Sequence, residues 1–163
     1  MTSEPPRVAP PPEWEYLIAH HFPDRYARTL EVRLGHRAVH FCARCSGELV
    51  GFVAFLALFI ASTRFEVDVS TPVGGVLLGL CPAPAAVDWL TQTVRTRESG
   101  NRLRLASGTL LGLALGGLVA FGWTHRWTEF VGGILVFAAY VATAMLVLYR
   151  TGAWRRVLAE HFP

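Results

Sequence analysis

The sequence predicts an all-α membrane protein. Four transmembrane helices follow a small N-terminal cytoplasmic segment, a hairpin carrying a Cys/His metal knuckle. Three observations predict it. Of the 163 residues, 52% are hydrophobic, which is high for a soluble domain. Four segments, residues 47–63, 73–92, 105–123 and 130–149, are apolar and almost free of charge. A helix needs roughly 20 such residues to cross the hydrocarbon core, with about 17 as the lower limit. A soluble reading would bury four helices with almost no amphipathic one among them, which so short a chain does not do. Thirdly, the charges alternate from loop to loop. Arg25, Arg28, Arg33, Arg37 and Arg44 precede the first span, Arg95, Arg97, Arg102 and Arg104 separate the second and third, and Arg150, Arg155 and Arg156 follow the fourth. The two remaining loops hold Arg64 and Arg126 beside Glu66, Asp68 and Glu129. The positive-inside rule then predicts a multi-pass cell-membrane protein with both termini cytoplasmic.

Residues 1–12 are Pro-rich and are expected to be a disordered tail. Residues 13–45 are expected to hold an amphipathic surface helix and the Cys/His knuckle. Trp14, Leu17, Ile18 and His21 fall at i, i+3, i+4, i+7, and Pro23 ends that stripe. Leu30–Leu34 alternates apolar and polar, and Arg37–Phe41 does so less cleanly. Gly35-His36 lies between them, which predicts a two-stranded hairpin. No early apolar core leads to a small-residue cleavage site, so the first span is expected to target the chain. Residues 46–150 form the four-helix bundle, and residues 151–163 a cytoplasmic surface helix.

Within the spans, Pro82 and Pro84 are expected to kink the second and to leave carbonyls needing other partners. Gly108, Gly112 and Gly116 repeat every fourth residue on the third, as Gly47 and Gly51 do on the first. Small residues at that spacing let helix backbones approach closely. The sharper version of that reading is a homodimer through Gly108, Gly112 and Gly116.

Cys42-Ala43-Arg44-Cys45, just before the first span, admits three chemistries. A structural zinc site needs four ligands. Cys42, Cys45 and His20 supply three, and His21, His36 or His40 a fourth. A catalytic metal site would keep one position open. A dithiol redox pair needs only a stabilised thiolate, which Arg44 is placed to provide. A reducing cytoplasm disfavours a standing disulfide. The histidines clustered before the pair favour a divalent metal, zinc by the softness of its ligands.

Several polar residues converge on the same side of the membrane. Asp88 and Gln92 share a helix face at i, i+4, and Ser99, Asn101 and Arg104 lead into the third span. Ionisable groups near hydrocarbon are functional candidates by default. Asp88 is a candidate general base or further metal ligand, and Gln92 lines the same pocket. Ser99, Asn101 and Arg104 are candidates to hold an anionic head group or phosphate. The plainer alternatives stay open. Asp88 would pair with Arg95 or Arg104, Ser99-Gly100-Asn101 would be a turn, and Glu48 would cap the first helix. Cys81 reads as a buried inert thiol.

These residues resemble an uncharacterised family of multi-pass membrane proteins, a domain of unknown function. Its pattern runs Cys-His-x-x-Pro-Glu-Arg-Ser, then Cys-Ala-Arg-Cys-Thr-Gly, an Asp and a Gln, then Ser-x-Asn-x-x-Arg-x-x-x-Gly. Here the matching residues are His20 to Arg25, Cys42 to Gly47, Asp88, Gln92, Ser99, Asn101, Arg104 and Gly108. The family's first Cys falls on Ala19 and its Ser on Tyr26. If that Cys is a ligand, His21 or His40 must replace it, or three ligands must suffice. The resemblance implies a site and carries no reaction.

Three functional expectations follow: a metalloenzyme acting on a lipid-type substrate, a structural or partner-binding membrane protein with a metal-stapled N-terminus, and a thiol oxidoreductase using Cys42 and Cys45. The bilayer and an anionic head group are the expected partners. No nucleic-acid partner is expected.

Overall fold

The computed structural model describes residues 18–19, 27–35, 37–64 and 71–161. The chain forms two units, residues 1–42 and residues 43–163.

The first unit contains the predicted hairpin. Strands β1 (Thr29–Leu34) and β2 (Arg37–Cys42) pair antiparallel, with Val32 opposite Val39 and Thr29 opposite Cys42. Gly35 turns the chain at φ +62°, a left-handed conformation that costs glycine nothing. On β1, Arg33 Nε donates to Glu31 Oε1 at 2.7 Å. That hydrogen bond, then the guanidinium charge, holds the Glu31 carboxyl below its ordinary range. Of the amphipathic stretch 13–21, only Ile18 and Ala19 are described, and both are helical. The tail 1–12 and the residues His20, His21 and His36 lie outside the described residues.

The second unit is helical throughout. Helix α1 spans Ala43–Arg64, α2 Thr71–Leu80, α3 Ala83–Arg95, α4 Asn101–Trp123, α5 Trp127–Thr151 and α6 Trp154–His161. Four stretches are long and apolar enough to cross a membrane: Ala43–Ser62, Val73–Arg95, Asn101–Trp123 and Trp127–Thr151. The second of these is α2 and α3 together. They part at Cys81–Pro82, where the sequence predicts the kink. Prolines 82 and 84 have no N–H to give to the preceding turn. One exposed acceptor there, the Gly79 carbonyl, is filled by the Tyr140 hydroxyl of α5 at 2.6 Å.

Helix α4 is the most buried of the four spans, and α1 and α5 are the least. The reason lies in its small residues. Gly108 and Gly112 lie against the carbonyls of Arg44 and Glu48, and Gly47 and Gly51 lie against those of Leu105 and Thr109. A Cβ at Gly51 or Gly112 would overlap backbone oxygen, so only glycine permits this approach. The stripe on the third span is thus covered by the first span of the same chain. A second copy meeting Gly108, Gly112 and Gly116 would have to displace α1.

Helices α4 and α5 join through a three-residue turn. Thr124 N–H returns to Ala120 O at 3.0 Å, and Arg126 N–H to Phe121 O at 2.9 Å. Arg126 stacks 4.9 Å over the Phe121 ring and bonds Glu129. Trp123 and Trp127 flank this turn and are exposed, as Tyr149 is near the opposite end of α5. Aromatic residues at both ends of apolar helices match the two membrane interfaces.

Candidate functional site

The polar residues meet where α1 and α4 begin and α3 ends. Asp88 sits on α3 and is 4% exposed. A carboxylate so buried needs several donors to remain ionised. Its Oδ2 accepts from Arg44 Nη2 at 2.5 Å, Gln92 Nε2 at 2.6 Å and Ser99 Oγ at 3.3 Å. Its Oδ1 accepts from Arg97 Nη2 at 3.1 Å.

A second layer surrounds Arg104, which α4 carries one turn after its start and which is 5% exposed. Its Nε donates to Ser99 Oγ at 2.9 Å and to the Ser99 carbonyl at 3.1 Å. Its Nη2 donates to Gln92 Oε1 at 2.7 Å and Glu98 Oε2 at 3.2 Å. Gln92 and Ser99 therefore bridge the buried acid to the buried base. Gln92 donates to one and accepts from the other, which fixes its amide orientation. Three guanidiniums, those of Arg44, Arg97 and Arg104, thus pair with the carboxylates of Asp88 and Glu98.

Four sequence-predicted residues, Asp88, Gln92, Ser99 and Arg104, thus come together. Asn101 opens α4 beside them, after an extended Gly100 as N-cap. The expected counter-ions are corrected: the arginines on Asp88 are Arg44 and Arg97, whereas Arg104 serves Ser99, Gln92 and Glu98, and Arg95 is exposed. Arg44 spends a guanidinium nitrogen on the carboxylate. Its Nε is buried with no hydrogen-bond partner among the described residues. Glu48 does not cap α1. The helix starts at Ala43, which leaves Glu48 beyond its first turn.

Sequence reasoning did not assign Arg44, Arg97 and Glu98 to this cluster. The available signal was the acid itself, since a carboxylate within an apolar span requires a cation.

The Cys pair spans two elements. Cys42 is the last residue of β2 and is buried, and Cys45 stands in the first turn of α1 and is exposed. Helix α1 begins at Ala43, directly after β2. Among the described residues, no three His, Cys, Asp or Glu side chains gather into a metal-binding group. The predicted ligands His20 and His21 lie outside the described residues.

Apolar helices of spanning length, tied at one end by a buried ionic cluster, define a multi-pass α-helical membrane protein. The family model described as "Predicted membrane protein (DUF2085)" matches residues 25–118, more than half of the chain. The chain belongs to that family, whose function is uncharacterised. The matched region contains every residue of the cluster. No curated protein and no solved structure matches the chain.

Proposed function

We propose that this is a structural or partner-binding membrane protein in which the Asp88 cluster locks three span ends together at the cytoplasmic face. The observation that carries this reading is the crowding of donors on Asp88. Three meet Oδ2 and a fourth, Arg97, meets Oδ1. A general base must present an open lone pair to substrate. A carboxylate occupied by two arginines, an amide and a hydroxyl instead holds its neighbours in register. The cytoplasmic assignment rests on the distribution of arginine between loops.

The Cys42-x-x-Cys45 spacing supports a zinc staple for the N-terminal segment, with His20 and His21 completing the ligand set. That element of the proposal rests on thiolate and imidazole chemistry and on spacing. When bound, the metal would supply folding energy to a segment with little core of its own.

The test is thermal unfolding of the purified protein carrying Asp88→Asn, beside Glu98→Gln as a comparison. The lock expects Asp88→Asn to lose stability. Glu98→Gln should stay within about 0.5 kcal/mol of the parent, because that pair is solvent-exposed on the acid side. A fully stable Asp88→Asn protein would sink the lock and favour the second reading. There Asp88 acts in a metalloenzyme working on a lipid-type substrate.

A further inference from the structure

Within residues 43–163, four described arginines are paired with acids. Arg44, Arg97 and Arg104 belong to the cluster, and Arg126 is held by Glu129 and Phe121. The other described arginines that stay exposed are Arg95, Arg102, Arg150, Arg155 and Arg156. All of them lie at one end of the bundle: the end of α3, the start of α4, the end of α5 and helix α6. The described acid exposed among them, Glu98, is already paired with Arg104.

Helix α6 gives this basic end its shape. Gly152, at φ +68°, breaks the chain away from α5 and returns its N–H to Tyr149 O at 3.2 Å. At helical spacing Trp154, Val157 and Leu158 share one face, with Arg155 and Arg156 off it. Arg156 reaches back to the bundle: its Nη2 donates to the Val94 carbonyl, in the last turn of α3, at 3.1 Å. Trp154 and Leu158 are exposed, as Arg155 is. Arg155 lies over the Trp154 ring at 5.5 Å. An exposed tryptophan and leucine, beside a guanidinium at the end of a span, suit the boundary between acyl chains and head groups.

We infer that α6 and the neighbouring exposed arginines form a docking surface for anionic phospholipid. Arg150 and Arg155 take phosphate oxygens, while Trp154 and Leu158 enter the acyl region. Charge complementarity selects this occupant: among the described side chains the surface carries several cations and a single paired acid, and a guanidinium binds phosphate through two parallel hydrogen bonds. The inference needs the membrane spans but neither the Asp88 lock nor a metal. Helices α5 and α6 lie beyond the residues matched by the family model.

The experiment places the full chain in nanodiscs of phosphatidylcholine with roughly one-third phosphatidylglycerol, enough to give the surface a negative potential. Lipid carried through detergent extraction is then weighed by native mass spectrometry. Phosphatidylglycerol should be enriched over phosphatidylcholine, with enrichment falling about fivefold for each arginine removed in Arg150→Gln and Arg155→Gln. Arg126→Gln, at the opposite end, should leave it unchanged. Free glycerophosphate should not compete, because it lacks the acyl chains that Trp154 and Leu158 contact. Equal retention of the two lipids would overturn the inference, as would an equal loss in Arg126→Gln or full competition by glycerophosphate. Neither Arg150 nor Arg155 serves the cluster, so a variant that melts with the parent reads binding alone. If Arg155→Gln melts early, Arg95→Gln/Arg102→Gln must show the same loss of enrichment, or the inference fails.

Discussion

Arg44 Nη2 lies 2.5 Å from Asp88 Oδ2, and the two residues are 44 positions apart. The contact ties the first turn of α1 to α3. It also commits the arginine between Cys42 and Cys45 to the bundle, so the Cys motif is continuous with the lock through one side chain.

A double-mutant cycle on this pair tests the tie. Asp88→Asn and Arg44→Gln should each cost about 2–3 kcal/mol, below the range for fully buried pairs because Arg44 keeps a fifth of its exposure. The double variant should cost clearly less than the two added together. Arg97→Gln should cost under about 1 kcal/mol, since the Arg97 side chain is 48% exposed. Strict additivity of the Arg44 and Asp88 effects would show that the two do not act as a pair.

Gly112→Ala should loosen α1 from α4. Its new methyl meets the Glu48 carbonyl, which belongs to a helix backbone and cannot rotate aside. The expected loss is about 1–3 kcal/mol, the usual range for overpacking. Gly75→Ala and Gly132→Ala meet open space and should be neutral in the same melt. Equal behaviour of all three would mean that the α1–α4 approach is not tight.

Tyr140→Phe removes the donor to Gly79 O without changing the ring. It should lower stability by about 0.5–1.5 kcal/mol. It should also speed hydrogen exchange around Leu80–Ala83, where the second span is broken. Unchanged exchange at those amides would show that the break is held by other contacts.

Metal analysis of the purified protein tests the staple. About one zinc per chain is expected, lost in Cys42→Ser and in Cys45→Ser. Chelation should then expose the N-terminal segment to protease before the bundle unfolds. Metal-free protein with both thiols freely titratable would set zinc aside and make dithiol chemistry the reading to pursue.

The sequence carries local features well and partnerships poorly. The four spans are written in apolar length, the hairpin in alternation about Gly35, and the break in Pro82 and Pro84, each within a few neighbouring residues. Sidedness then placed Asp88, Gln92, Ser99 and Arg104 at one end. It did not assign their bonds, because any of several arginines could reach a carboxylate there. The choice of Arg44 over Arg95 is made by how α1 seats on α4, through glycine contacts more than 50 residues apart. Helix α1 starts at Ala43, so Cys45 stands in a helix.

The pairing of α1 with α4 has a consequence for biosynthesis. The first span packs principally on the third and only slightly on the second. On leaving the ribosome it therefore meets lipid or the translocation machinery before its mate exists. Gly47 and Gly51 stay uncovered, and Arg44 lacks its carboxylate, until the chain has been made through Asp88 and into α4. Assembly is timed by elongation, and a pause before Asn101 would prolong the interval in which a half-made bundle is open to quality control.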